Sequence, residues 1–408
     1  MDYDWDGVNI AELNFDTNKG AEDPSKFTPM NDDVRRDFKR INGFDPIELF
    51  NPKSPFYFKK NLNAYKKFLI FRKEILKNLH IFFLNEIEKI KKAKDKEMEV
   101  IVTTMDSIIH SEIFEETGMD TREIISLMDI YPFTLQIEDP ARSWILPPSR
   151  YLDYLNVYKN FIKDKDRLMF DINCIGRRDV SKTNLPSSLA TGTELAQTLY
   201  FAIQANGRAG IYSESTVLPS DMDILSFVFG RDIEITKKNG SYLIRAGKPF
   251  LLSVNLNEYT PYIDNQKWYL WGVKGIYIPS GSHILSFRKE PFLKLALSHR
   301  IEFDGEISSF REEGGRFTLF YNSKLPVSLT FNRPLEEVKL DENFLSIPMD
   351  KNGVILPRGN HKLEIVPSSS ISYTVDVIGY LSSSIFYLLG FLSVTLLFSL
   401  YLYSKIKK

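Results

Sequence analysis

The sequence predicts an α/β unit of the (β/α) TIM-barrel-like type, partial in extent, then all-β sandwich modules and one C-terminal transmembrane helix. Three observations predict it. Residues 1–230 alternate strand-like and helix-like segments. Residues 231–372 change to short alternating runs broken by Gly, Pro and Asn. Residues 377–404 carry no charged side chain.

The elements follow in chain order. Gly7-Val8-Asn9-Ile10-Ala11 reads as a buried strand over 6–12 that ends on Glu12. Residues 33–43 read as a short helix stopped by Gly43. Residues 63–94 form a long amphipathic helix, with apolar residues at helical spacing and Lys and Glu on the other face. "MEVIVTTMD" (98–106) is a strand. The segment 120–128 starts with an N-cap Asp followed three residues later by Glu. Residues 129–139 are a strand region made irregular by Pro132. A helix over 148–164, a strand over 166–173, a helix over 191–207 ended by Gly207, a strand over 208–215 and a helix over 220–230 complete the unit. The long strand-to-strand spacing suits an elaborated barrel better than a compact three-layer sheet. No glycine-rich phosphate loop follows any strand, which weighs against nucleotide folds.

Beyond residue 231 the sequence repeats itself. "IPSGSHILSF" (278–287) and "LPRGNHKLEI" (356–365) share Pro-x-Gly-x-His-x-Leu at one spacing. This predicts two related β-sandwich modules, 231–300 and 301–372, each with a turn feeding a strand. His283 and His361 sit at the strand starts and are expected to satisfy the turns.

"IFYLLGFLSVTLLFSLYLY" within 377–404 is long enough to cross a bilayer as a helix. Lys405, Lys407 and Lys408 follow it, which places the tail 405–408 in the cytoplasm and the bulk of the chain outside the cell membrane. The segment beginning at Met1 has neither a basic region nor an apolar stretch of the signal-peptide kind. Either an export signal lies upstream, or the span is a tail anchor and the bulk faces the cytoplasm.

Composition narrows the function. The hydrophobic fraction of 43% and the aromatic fraction of 13% describe a folded chain. A formal net charge of -1 without a basic stripe argues against nucleic acid. One cysteine excludes an internal disulfide and a cysteine-rich zinc site, and the five histidines lack metal-binding spacing. No metal or other cofactor is expected.

Barrel chemistry sits at the C-terminal ends of the strands. Those ends carry Glu12, Asp106, Gln136 with Glu138 and Asp139, Asp171 with Asn173, and Glu214. Two carboxylates flanking a glycosidic bond suffice for hydrolysis: one protonates the leaving oxygen, the other attacks carbon or activates water. Glu12 and Glu214 are the first-choice catalytic pair by position, with Asp171 the alternative second carboxylate. Asp106, Gln136, Glu138 and Asn173 are expected to bind substrate, with Tyr131, Trp144 and Tyr212 stacking on sugar faces.

"WDGVNIAEL", "RRDFKRINGFDP" and the helix containing "FRKEILKNLH" together resemble the TIM-barrel glycoside hydrolase-like proteins of bacterial envelopes. The resemblance covers about residues 1–230 and implies that the first strand here is strand four of eight, so that strands one to three lie upstream. A smaller open α/β sheet is the alternative. The family reading makes Glu12 a strand-four acid where many relatives place Asp. It puts Asp171 on strand seven, where retaining enzymes of the Glu/Glu clan carry their nucleophile, and Glu214 on strand eight. It implies a membrane-anchored glycosidase acting on an envelope or secreted polysaccharide. The rival expectation is an inactive protein that binds polysaccharide or scaffolds envelope or polysaccharide-export proteins.

Overall fold

The computed structural model describes residues 6–15, 20–177, 187–222, 228, 233–252, 254, 256, 259–272, 275–291, 299–345 and 353–368. The chain divides into two compact units, one reaching to Gly230 and the other running on from Arg231.

In the first unit five parallel strands lie side by side in chain order: β1 (Gly7–Ile10), β2 (Glu99–Met105), β3 (Thr134–Glu138), β4 (Leu168–Asn173) and β7 (Ala209–Tyr212). Two short strands, β5 (Ile175–Gly176) and β6 (Ser188–Leu189), pair with each other between β4 and β7. Parallel neighbours need crossovers, and helices supply them: α1 (Asp32–Asn42) and α2 (Leu62–Lys94) follow β1, α3 (Glu112–Thr117) and α4 (Thr121–Leu127) follow β2, α5 (Arg150–Tyr158) follows β3, and α6 (Gly192–Asn206) precedes β7. Local sequence sets their ends. Gly43, at φ 83°, closes α1 in the left-handed region. The Asn61 side chain accepts from Ala64 N at 2.9 Å to start α2. Thr191 and Glu194 form a capping box at the start of α6.

The register divides the sheet into two unlike faces. One carries Val100, Val102, Leu135, Ile137, Leu168, Phe170 and Ile172, all buried. Tyr151 and Tyr154 of α5 pack on Phe170 there, with ring centroids 5.3 and 6.1 Å away. The other face carries Asn9, Thr103, Gln136, Glu138, Asp171 and Asn173. Side chains on this polar face meet across intervening strands. Arg208 donates to Thr134 Oγ1 at 3.1 Å and pairs with Glu99. The Tyr212 hydroxyl, on one edge strand, lies 3.4 Å from Glu12 Oε1 beyond the other. Such reaches fit only the inner face of a strongly curled sheet.

The parallel sheet is a half-barrel: a barrel closes only when every strand has two neighbours, and among the described residues β1 and β7 each pair with one. The expected fold is corrected in its membrane helix. No helix among the described residues is long and apolar enough to cross a membrane. The long helix α2 is interrupted by Lys66, Lys67, Arg72, Lys73, Glu74 and Lys77. The segment 377–404, on which the transmembrane expectation rested, lies outside the described residues, as does most of the helix expected over 220–230.

The second unit is antiparallel throughout its described strands. Its first half contains β8 (Ile233–Lys238), β9 (Ser241–Ala246), β10 (Phe250–Leu252), β11 (Tyr259–Ile263), β12 (Gln266–Lys267), β13 (Trp271–Gly272), β14 (Gly275–Ile278) and β15 (Gly281–Lys289). The second half contains β16 (Ile301–Phe303), β17 (Glu306–Glu313), β18 (Arg316–Ser323), β19 (Val327–Phe331), β20 (Leu335–Leu340), β21 (Asn343–Phe344), β22 (Gly353–Leu356) and β23 (Gly359–Pro367). Their five-stranded sheets have one topology, β12-β11-β15-β9-β8 and β21-β20-β23-β18-β17, and each half adds a three-stranded sheet. Alternation sets the inward face: Phe317, Leu319 and Tyr321 of β18 are buried, as are Leu363 and Ile365 opposite them on β23. Leu251, Leu270 and Tyr277 from the first half join Ile301, Phe303 and Phe317 from the second in one apolar cluster.

The Pro-x-Gly-x-His echo forms the same structure twice. His283 Nδ1 lies 2.8 Å from Asp264 Oδ2, and its Nε2 lies 3.0 Å from the Ser280 carbonyl. His361 Nδ1 lies 2.6 Å from Asp341 Oδ2, and its Nε2 lies 3.0 Å from the Arg358 carbonyl. Asp264 and Asp341 also accept the backbone N–H after each histidine, from Ile284 and Lys362. Both aspartates sit in left-handed hairpin turns, Asp264-Asn265 and Asp341-Glu342.

Candidate acid–base site of the parallel sheet

The C-terminal ends of the parallel strands collect most of the residues singled out from the sequence. Glu138 ends β3 and stands directly opposite Asp171 on β4. Neighbouring strands are about 4.8 Å apart, so the two carboxylates are immediate neighbours on the inner face. Glu12 follows β1 in a left-handed conformation at φ 59°. That conformation costs a residue with a side chain about 1 kcal/mol. Its carboxylate is exposed and touches the Tyr212 hydroxyl.

Burial and repulsion act on this set. Burial raises Glu138 to about 7, and the charges of Asp171, Glu12 and Asp139 add to the shift. Burial likewise raises Asp171 to about 6; the Gln136 amide opposes this, and Asp139 reinforces it. Gln136 is itself buried on the same face. Two carboxyl groups side by side, one half-protonated near neutrality and the other mostly ionised, can give and take a proton within one site.

Other expected site residues have structural partners. Asp106 is fully buried: its Oδ1 accepts from Ile108 N, Ile109 N and the Tyr158 hydroxyl at 3.0, 3.1 and 2.6 Å. It therefore ties the loop after β2 to α5. Asn173 Oδ1 accepts from Ile175 N at 3.0 Å. Trp144 donates its indole N–H to the Asp139 carbonyl at 3.1 Å, at the same end of the sheet as the carboxylates. Tyr131 precedes β3, so it stands at the opposite end, where its hydroxyl donates to Asn85 of α2 at 3.0 Å. It is not brought together with the carboxylates. Glu214 opens a short 3-10 turn, Glu214–Thr216, and its side chain lies outside what the structure describes.

Sequence reasoning missed the face of α5 that supports these loops. Arg150 donates to Asp139 Oδ2 at 2.6 Å, with both side chains buried. Tyr154 reaches His110 Nε2 at 3.0 Å, and Ser143 Oγ lies 3.0 Å from the same nitrogen. The i, i+4, i+8 spacing of Arg150, Tyr154 and Tyr158 was the available signal, since it puts all three on one side of a helix. Among the described residues no group of three or more His, Cys, Asp and Glu could hold a metal ion.

No protein-family model matches the sequence, and no curated protein matches it.

Proposed function

We propose that the parallel-sheet unit is a glycoside hydrolase-type acid–base site acting on a polysaccharide. The register pair Glu138–Asp171 carries the reading. Glu138, held partly protonated at neutral pH by burial and by its acidic neighbours, gives its proton to the glycosidic oxygen as the bond to the anomeric carbon breaks. Asp171, lower in the series, is the ionised partner that attacks that carbon or takes a proton from the water that does. Glu12 lends negative charge that keeps the proton on Glu138. Tyr212, more than half exposed beside Glu12, offers a flat apolar face to a sugar ring. The resemblance of "WDGVNIAEL" and "RRDFKRINGFDP" to envelope glycoside hydrolase-like proteins supports the same substrate class.

The test is release of new reducing ends from a panel of soluble neutral, acidic and amino-sugar polysaccharides. The wild-type chain should cleave at least one of them. Glu138→Gln and Asp171→Asn should each lose at least about a thousandfold in turnover while still binding the cleaved glycan. Binding by the wild-type chain without any cleavage would replace this reading with a carbohydrate-binding one.

A further inference from the structure

We propose that the two histidine–aspartate pairs of the second unit are proton-operated latches: each fastens an edge hairpin to the next strand in full only while its imidazole ring carries two protons. This holds whether or not the first unit is a glycosidase.

The surroundings of the rings carry it. In both copies each ring nitrogen faces an oxygen that can only accept. Nδ1 of His283 meets Asp264 Oδ2 at 2.8 Å, and its Nε2 meets the Ser280 carbonyl at 3.0 Å. Nδ1 of His361 meets Asp341 Oδ2 at 2.6 Å, and its Nε2 meets the Arg358 carbonyl at 3.0 Å. The second oxygen of each aspartate accepts a backbone N–H, from Ile284 at 2.8 Å and from Lys362 at 2.9 Å, which favours the ionised carboxylate. A neutral imidazole has one N–H and one lone pair. Only the imidazolium donates at both nitrogens, so losing a proton sets a lone pair against a lone pair at one of the two contacts.

The seat of each ring is built into the sequence. Gly281 and Gly359 stand two residues before the histidines, at φ 117° and 123°. A Cβ there would stand 3.2 Å from Nε2 of His283 and 2.9 Å from Nε2 of His361. Glycine thus lets each ring fold back over its own turn and reach the carbonyl. Asp264 and Asp341 lie in the turns that join β11 to β12 and β20 to β21. Both β12 and β21 are edge strands of the five-stranded sheets. Each latch therefore fastens a short edge strand, the part of a sheet with the fewest partners.

The groups that face the rings differ between the copies. His361 lies beside Asp341 and opposite Tyr321 of β18, whose ring centroid is 5.3 Å away and whose hydroxyl donates to the Pro357 carbonyl at 2.9 Å. The adjoining Lys362 ammonium pairs with Glu364 at 2.8 Å. His283 lies beside Asp264 and opposite Ile244 of β9. Asp341 and the Arg358 carbonyl raise His361 above the ordinary histidine value. Its latch is therefore complete below about 6.5 and loosens as pH climbs through the raised value.

The test compares the full wild-type chain with the double variant His283→Gln, His361→Gln, whose amides stay uncharged at every pH. The wild type should melt about 2–4 °C higher at about pH 6, and the difference should vanish by about pH 9. Hydrogen exchange gives the local readout. After correction for intrinsic rates, the Lys362 amide of the wild type should lose about two- to tenfold of its protection between about pH 6 and 9, and that of the variant should not change. A melting difference that is the same at both pH values overturns the proposal. If the double variant does not fold, unchanged Lys362 protection in the wild type overturns it instead.

Discussion

At the ends of β3 and β4, Glu138 and Asp171 face each other; burial holds both above the ordinary carboxylate range, and neighbouring acids reinforce it, Asp171 and Glu12 at Glu138 and Asp139 at both. At the hairpins after β11 and β20, Asp264 and Asp341 each meet a histidine and a backbone N–H. The His361 hydrogen bond, with the Lys362 N–H, holds Asp341 below that range. One residue type thus appears in two conditions. In the second unit the carboxylate is surrounded by donors and works as a turn staple. In the first it is set among other acids, an arrangement that costs stability and is useful only if the charge does something. Four substitutions sharpen or break this contrast, from the largest effect to the smallest.

Arg150→Met should have the largest effect, because it leaves Asp139 buried and unpaired beside the site. A loss of about 3–5 kcal/mol is expected in urea unfolding. A loss below 1 kcal/mol would mean that the acidic end of the sheet tolerates one more uncompensated charge, and the contrast would weaken.

Asp171→Asn should stabilise the protein at pH 8, by roughly 1–3 kcal/mol. The sign follows from linkage. The folded chain holds the Glu138 and Asp171 protons more tightly than the unfolded chain does. Stability therefore falls as pH rises from the ordinary carboxylate range, near 4, through about 6 for Asp171 and about 7 for Glu138. The asparagine variant escapes the Asp171 part of that fall, so its advantage in melting temperature should vanish near pH 4.

The same exchange in the second unit should have the opposite sign. Asp341→Asn removes a charge held below its ordinary value. Its contribution is present above the unfolded value and is lost as pH falls through the lower folded one. His361 is raised by that aspartate and by the Arg358 carbonyl, so its share is complete below about 6.5 and is lost as pH climbs through the raised value. The cost of Asp341→Asn should therefore peak between about pH 4 and 6.5. It should stay below about 1 kcal/mol, because the Asp341 side chain is 48% exposed and solvent screens the pair. A stabilising effect at pH 6 would erase the distinction between the two carboxylate sets.

The smallest change is expected at Glu342, which holds φ 70° in the second hairpin turn. Glu342→Gly should gain about 0.5 kcal/mol, since glycine adopts that conformation without the Cβ penalty. The melting temperature of the variant checks it.

The two regions also differ in how much of them the sequence disclosed. Both histidines and both glycines of the echo were visible, because a turn that requires φ of 117° at Gly281 and 123° at Gly359 writes itself into adjacent residues. Their aspartate partners were not, because Asp264 and Asp341 come from an earlier hairpin and meet the histidines only once β11 pairs with β15 and β20 with β23. The α/β alternation was legible from helical and strand periodicity, and the strand expected over 98–106 runs from Glu99 to Met105. Periodicity did not give the extent of closure, since it reports faces and not how many neighbours a strand has; the partial barrel was expected from the family resemblance alone. Carboxylates at strand ends were legible as a set. Glu12 and Glu214 were favoured by their flanking residues; that Glu138 stands opposite Asp171 on the neighbouring strand was not legible. Register is a property of two segments, and no local pattern in "TLQIE" or "LMFDIN" contains it.

The most direct measurement is the titration of the Glu138 carboxyl carbon in the wild-type chain by NMR. The account predicts a midpoint near 7, above that of Asp171, with the Asp341 carboxyl in the same sample titrating below the ordinary carboxylate range. A Glu138 midpoint near 4.5, no higher than that of a solvated glutamate, would contradict it.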